Sequence, residues 1–313
     1  MIISASRRTD LPAFYSKWFY NRIKAQSVMV RNPFNYRQIS KINLSAKLID
    51  CIVFWTKNPT ADFIAQLDLL KDYNYYFQFT INPYNRNLES RVPLKKQIIK
   101  KFITLSQKIG KERLIWRYDP IILTDTIDEE YHYKYFDFLA AQLAQYTDKC
   151  IISFLDNYKK TEKNLAEINL TALTTTKMKI IASNLADLAA KYDLKLASCA
   201  EAVDLTTFNI QPSSCIDSKL IEQISGFKLT AKNDKNQRKF CNCAESIDIG
   251  SYNSCLHFCK YCYANSQSEI VEKNFSTHQP ESPLLIGNLD LEKDTIKERK
   301  FNSFQIKNLK LFN

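Results

Sequence analysis

The sequence predicts an α/β fold, a TIM-type or partial (β/α) barrel followed by a cysteine-rich C-terminal extension. Three observations carry this reading. Short apolar runs alternate with stretches of helical period through the first two-thirds of the chain, the mark of parallel βαβ units. Each apolar run ends in polar or ionisable residues, as expected of the catalytic edge of a barrel. The length, 313 residues with 45% hydrophobic content, suffices for one large barrel with a buried core.

The first strand spans Met1 to Ser6 and ends in Arg7-Arg8-Thr9-Asp10, where Leu11-Pro12 stops it. A helix follows from about Phe14 to Lys24, with Trp18, Phe19 and Ile23 apolar. Val28 to Val30 reads as a short strand running into a turn-like loop at residues 31–35. The second clear strand, Asp50 to Trp55, ends in Thr56-Lys57-Asn58-Pro59, and a helix from about Thr60 to Leu70 comes next. The third strand, Tyr75 to Ile81, closes at Asn82-Pro83; the helix from Leu94 to Ile109 ends at Gly110, a residue suited to helix termination. The fourth strand, Arg113 to Tyr118, ends in Asp119-Pro120 and leads into a helix from about Asp128 to Gln145. The fifth strand, Cys150 to Phe154, ends in Asp156, and a long helical region runs to Tyr192. The sixth, Leu194 to Ser198, ends in Cys199-Ala200-Glu201.

Beyond Glu201 the alternation breaks up. Residues 203–245 hold Cys215, Cys241, Cys243 and a basic segment at 232–239. Ser246 to Gly250 reads as a further strand that delivers the next loop to the same barrel face. Residues 279–313 read as a tail with a charged, helical end. The chain thus divides into (β/α) units over 1–202 and a cysteine-rich segment with its tail over 203–313, packed on the same barrel.

Composition narrows the function classes. With four glycines and no G-x-G-x-x-G or Walker sequence, a glycine-rich phosphate loop is excluded. No apolar stretch is long enough to span a bilayer and the N-terminus lacks a signal-peptide pattern, so a cytoplasmic protein with no membrane partner is expected. The formal charge of +11 suits a polyanionic partner, nucleic acid included, although no nucleic-acid-binding motif stands out.

The nine cysteines are unevenly placed. Cys51 and Cys150 each open an apolar run and read as core residues. The other seven lie between Cys199 and Cys262. Cys255, Cys259 and Cys262 form C-x3-C-x2-C, with Tyr261 immediately before the third. So short a loop can wrap three soft thiolates around one compact iron–sulfur centre, leaving one iron of a 4Fe–4S cluster open to a small molecule. The alternative is zinc, with Cys259 and Cys262 as one pair and Cys241 and Cys243 as the other. Subtracting the triad leaves Cys199, Cys215, Cys241 and Cys243, enough for a second 4Fe–4S cluster or a zinc. Among the strand-end residues, Gln78, Arg117 and Glu201 are expected to point inward, and Arg7, Arg8, Lys57 and Arg117 supply positive charge for an anionic ligand.

The loop Cys255-Leu256-His257-Phe258-Cys259-Lys260-Tyr261-Cys262-Tyr263-Ala264-Asn265 resembles those of radical S-adenosylmethionine (SAM) enzymes, especially the spore photoproduct lyase branch with its Tyr-Cys-Tyr ending. Over nearly its full length the chain also resembles the domain of unknown function 1848 family, through the stretches Ile2 to Asp10, Val53 to Pro59, Trp116 to Pro120, Cys199-Ala200-Glu201 and Asp248-Ile249-Gly250. The first resemblance implies a 4Fe–4S cluster on Cys255, Cys259 and Cys262. It implies SAM on the open iron, cleaved after one electron arrives from a donor such as flavodoxin or ferredoxin, and hydrogen abstraction from a substrate in the barrel mouth. Tyr261 would pack against the cluster or the adenine. Arg7, Arg8, Lys57 and Gln78 would contact cofactor or an anionic substrate, and Arg117 and Glu201 would act on it. The second resemblance brings no reaction. The cluster loop here follows all the recognisable βα units, as though the barrel were circularly permuted, and the Gly-Gly-Glu that usually contacts SAM is absent. The rival reading is a metal-stapled binding or electron-transfer protein without SAM chemistry.

Overall fold

A computed structural model describes residues 1–156, 161 and 164–306. Among these, eight strands form one parallel sheet: β1 Ile2–Ala5, β4 Cys51–Thr56, β5 Tyr75–Thr80, β6 Leu114–Ile121, β7 Lys149–Phe154, β8 Lys195–Cys199, β9 Gln211–Ser213 and β10 Ile247–Asp248. They lie in chain order, except that the last strand pairs with the first; the spatial order is β10-β1-β4-β5-β6-β7-β8-β9. That sequence of neighbours is cyclic, with β9 and β10 as the two edges. The segments flanking the edges touch through the Ala244 amide, which donates to the Ile216 carbonyl at 3.0 Å.

Alternation along the strands separates two apolar faces, as a period of two requires. Ile3, Ile52, Phe54, Phe77, Trp116 and Ile152 turn towards the helices. These include α2 (Ser16–Lys24), α4 (Lys95–Ile109), α5 (Glu129–Leu143) and α6 (Thr175–Ala190). The opposite face carries Ile2, Cys51, Val53, Tyr76, Ile115, Ile151 and Ala197, and the chain following β9 crosses it. There the Cys215 carbonyl accepts hydrogen bonds from the Tyr76 hydroxyl at 2.7 Å and the Gln78 amide at 3.0 Å. The expected core cysteines are fully buried, Cys51 on this second face and Cys150 on the helix side.

Several expected elements differ. The first helix begins earlier: Asp10 caps a short α1 (Leu11–Phe14) with Pro12 in its first turn, where a missing N–H costs nothing. Tyr15 then separates it from α2. The helix expected at 60–70 is α3 (Ala61–Ala65), tightening into a 3-10 turn over Gln66–Leu70. The short strand and loop at 28–35 are a full hairpin, β2 (Ser27–Asn32) with β3 (Asn35–Asn43), and its tip leaves Phe34 96% exposed. The tail is extended: β11 (Thr295–Glu298) pairs parallel with β3, and no helix occurs in residues 279–306. Part of the helical region expected between Asp156 and Tyr192, and the end of the expected tail helix (residues 307–313), lie outside the described residues.

Because the large sheet is wholly parallel, every strand delivers its C-terminal end to one edge. That edge carries the residues considered next.

Candidate metal centre and active site

A cavity of about 1770 Å³ opens at the C-terminal edge of the sheet. All seven cysteines of the 199–262 cluster border it, as do Arg7, Arg8, Lys57, Arg117, Asp119 and Tyr261. None of the nine cysteines is in a disulfide.

The loop bearing Cys255, Cys259 and Cys262 follows β10 and is tied down on every side. Asn265 Nδ2 donates to the Cys255 carbonyl at 2.6 Å, and Tyr15 Oη to the Ser254 carbonyl at 2.7 Å. The segment after β5 runs antiparallel to it: the Lys260 amide donates to the Leu88 carbonyl and the Arg91 amide to the His257 carbonyl, flanking a Glu89–Cys259 bridge. His257 Nε2 pairs with Asp10 Oδ2 at 2.8 Å. The same Asp10 oxygen accepts from the Lys57 amide, so strands β1 and β4 and the loop meet at one carboxylate. Burial holds the Cys259 thiol up, to about 12, with Lys57 opposing it. His257 Nδ1, Thr9 Oγ1 and Asn265 Oδ1 are buried here without partners. Orphaned buried polar atoms are uncommon in folded proteins, and a bound water or ion is one reason for them.

Beneath the loop lies a buried ionic knot. Glu89, only 2% exposed, receives Lys57 Nζ at 2.9 Å on one carboxylate oxygen and Lys95 on the other. The Tyr261 hydroxyl also donates to Glu89, and Lys57 and Asn82 each donate to that hydroxyl, at 2.9 and 3.1 Å. Burial alone would raise the Glu89 carboxyl; the two ammonium groups overcome it and bring it down to about 2. A single carboxylate cannot fully compensate both lysines. Lys57 ends above its ordinary range, whereas burial prevails at Lys95 and lowers it.

The second cysteine set lies over the sheet. Cys199 and Cys215 sulfurs stand 3.2 Å apart, and Cys243 and Cys241 lie close enough to perturb them. Arg117 Nη1 donates to Cys215 Sγ at 3.0 Å while its other nitrogens clamp Asp119 Oδ2 at 2.9 and 2.6 Å. Ser153 donates to the remaining Asp119 oxygen. Among the described residues no three cysteine, histidine or carboxylate side chains converge on a single ion position. The chemistry of the loop's donor set, one buried and two half-buried thiols beside orphaned polar atoms, is compatible with a thiolate-held group such as an iron–sulfur cluster.

The pattern of the family described as "Domain of unknown function (DUF1848)" matches residues 2–264, from β1 through the cysteine loop. The chain belongs to the DUF1848 family. No curated protein matches it. A crystal structure from Bacteroides thetaiotaomicron, provisionally described as an alpha-L-fucosidase, is similar at 10% identity with a TM-score of 0.25, covering 74% of this chain and 82% of that one. A likeness that slight carries no functional argument.

The DUF1848 fold gathers most of the residues singled out in the sequence: Arg7, Arg8, Lys57, Arg117, Tyr261 and both cysteine sets border the cavity. Two stand apart from its lining. Gln78 lies below, its amide on the Cys215 carbonyl and its oxygen 3.4 Å from Arg117. Glu201 accepts the Phe154 amide at 2.9 Å, and burial raises its carboxyl to about 7. Lys57 and Arg117 are committed to carboxylates, whereas Arg7 and Arg8 are held more loosely: Arg8 lies 4.9 Å from the Tyr252 ring centre and 3.9 Å from Asp248, and Arg7 Nη2 donates to Ser246 Oγ at 3.5 Å. Sequence reasoning missed Glu89, which sits in a polar connection with no periodic signal. His257 lay inside the quoted motif but drew no role.

Proposed function

We propose that this DUF1848 protein is a radical SAM enzyme whose Cys255, Cys259 and Cys262 hold a 4Fe–4S cluster. The observation that carries the reading is that the C-x3-C-x2-C loop opens onto the large cavity at the catalytic edge of a parallel sheet, among fixed and free cations. A (β/α) barrel arrangement, entered from a permuted starting point, accounts for a loop that follows the last strand yet stands beside the first. With SAM on its open iron and one electron delivered, such a cluster would supply a carbon radical able to abstract hydrogen from an unreactive position.

The chain's own residues do the rest. Arg8 is placed to hold an anionic group, either the SAM carboxylate or the substrate. Arg7 lies 5.9 Å from the Trp55 ring centre and adds positive potential without a tight ion pair on its guanidinium. Tyr261 turns its hydroxyl into the Glu89 knot, so its part is to hold the loop rigid rather than to exchange a proton. Glu201, poised near neutrality by burial, is suited to carry a proton at the cavity's flank. The β2–β3 hairpin lines the cavity through Val30, Gln38 and Ser40. The substrate class is anionic, a small metabolite or a nucleic acid, and a flavodoxin- or ferredoxin-type protein would deliver the electron.

The test is anaerobic purification with iron and sulfide analysis, followed by dithionite and SAM and an assay for 5′-deoxyadenosine. The expected outcome is about four irons bound per chain by the loop, with product formed, and loss of both in a Cys255→Ala/Cys259→Ala/Cys262→Ala variant. Iron without deoxyadenosine would leave a cluster protein without SAM chemistry. Zinc without iron or product would overturn the enzyme reading.

A further inference from the structure

The small sheet beside the cavity has no part in the chemistry above. In it β3 pairs antiparallel with β2 and parallel with β11, so the hairpin and the tail stand together. The hairpin turn is fixed. The Phe34 amide donates to Asn32 Oδ1 at 2.9 Å, and Arg31 clamps Asp294 at 2.7 and 3.0 Å and reaches the Asn288 carbonyl at 2.9 Å. A rigid turn thus holds out one aromatic ring, 96% exposed, at the border of the cavity. Around the same cavity the tail adds Lys297, Arg299 and Lys300, and the segment before β10 adds Lys235 and Arg238, all exposed. Arg238 pairs with Asp156; the other four have no carboxylate partner among the described residues. The exposed carboxylates of this lining are Glu245 and Glu298, so positive charge prevails at the mouth.

We infer that this mouth binds a single-stranded nucleic acid, with its phosphates on Lys235, Lys297, Arg299 and Lys300 and a base stacked on Phe34. The inference names the substrate class of the proposed active site, and rests on that reading for the cavity's being the place of reaction. Three properties select the ligand. Phosphates repeat along a strand, so cations carried by two separate segments of the rim can each meet one. A nucleobase offers a π-face to an exposed phenyl ring, which a carboxylate of an acidic protein does not. The cavity, about 1770 Å³, exceeds the roughly 300–1,000 Å³ that suits one small ligand and has room for a nucleotide beside a cofactor. A duplex does not fit this use, because its bases are stacked inside and out of reach of the site. Arg7 and Arg8, half-buried on the same cavity, continue the positive lining towards the cysteine loop.

The experiment is fluorescence anisotropy of the full chain with labelled strands of about twelve nucleotides, within the span that one such groove covers. The probes are oligouridine RNA, oligothymidine DNA, an abasic DNA strand of the same length and a duplex. A strand with bases should bind about tenfold more tightly than the abasic strand or the duplex. Its affinity should fall with salt at a logarithmic slope of about −3, as four phosphate contacts on a single strand require. Phe34→Ala should cost about tenfold on strands with bases, nothing on the abasic strand, and leave the salt slope in place. Lys297→Ala/Arg299→Ala/Lys300→Ala should flatten the slope by about 2. The abasic comparison needs no variant, so the test survives a variant that fails to fold. Whichever of the two base-bearing strands binds tighter identifies RNA or DNA as the source. The inference is overturned if neither strand binds, if the abasic strand or the duplex binds as well, if Phe34→Ala has no effect, or if the rim holds an acidic flavodoxin-type protein and no oligonucleotide. Strand binding should persist in Cys255→Ala/Cys259→Ala/Cys262→Ala, so it and the radical SAM reading fail separately.

Discussion

Glu89 faces two ammonium groups and a phenol from a position that water does not reach. Replacing it with Gln leaves Lys57 and Lys95 buried without a counter-charge, an arrangement that costs about 3–5 kcal/mol when one partner of a buried pair is removed. Chemical denaturation of Glu89→Gln should show a loss of that order. Its carboxyl is held at about 2 against an ordinary 4.5. The stabilisation is therefore complete above the ordinary value and is lost as pH falls from there towards 2. The acid limb of the stability curve should flatten in the variant, and an unchanged limb would refute the assignment. Glu201 has the opposite sign. Its folded-state carboxyl is raised to about 7, so the ionised form is disfavoured in the folded protein. Stability should fall as pH rises between the two values, and Glu201→Gln should be stabilised relative to wild type on the alkaline side but not at about pH 4. Thermal melts across that range read it directly. At this scale, what the sequence revealed depended on contiguity. Cys255, Cys259 and Cys262 are legible because their spacing is itself the signal. Lys57 is legible as a strand-end cation, but its partner Glu89 is brought to it only by the fold.

Among the elements, the cysteine loop depends on its neighbours more than on itself. The strap at residues 88–91 hydrogen-bonds both sides of Cys259, and β10 hands the chain over through Asp248, which gathers the hydroxyls of Ser4 and Ser6 and the amides of Arg7 and Gly250. Gly250 lies so close to Ser6 that an added methyl group would fall on its hydroxyl and 2.6 Å from its Cβ. Gly250→Ala should destabilise the protein by about 1–3 kcal/mol, the range for overpacking, and lower the melting temperature; an unperturbed melt would show that Ser6 can yield. The central strands were legible because both faces are covered, which gives near-continuous apolar runs such as Cys51-Ile52-Val53-Phe54. β3 and β11 were not. In Asn35–Asn43 only Ile39 and Ile42 are buried aliphatics among polar residues, and Thr295–Glu298 is exposed throughout. Their pairing comes from backbone register, which leaves little trace in side-chain pattern.

For the molecule as a whole, the alternation of strands and helices was enough to imply one parallel sheet with its polar strand ends on one edge, and that edge is where both cysteine sets and most of the expected cations are found. The convergence of Cys199, Cys215, Cys241 and Cys243 was beyond counting, since it depends on how β8, β9 and β10 are arranged in space. The pairing of β1 with β10 also sets a timetable. Ile3 finds its neighbour Ile247 only after the strands between them have left the ribosome, whereas β4 to β8 can associate as each emerges. Until then β1 has one partner and an open flank, the most aggregation-prone condition of a strand. Arg7, Arg8 and Asp10, already made, wait for the loop that will stand beside them. Any metal held by that loop is therefore acquired only after β1 and β4 to β8, which precede it in the chain, have been made.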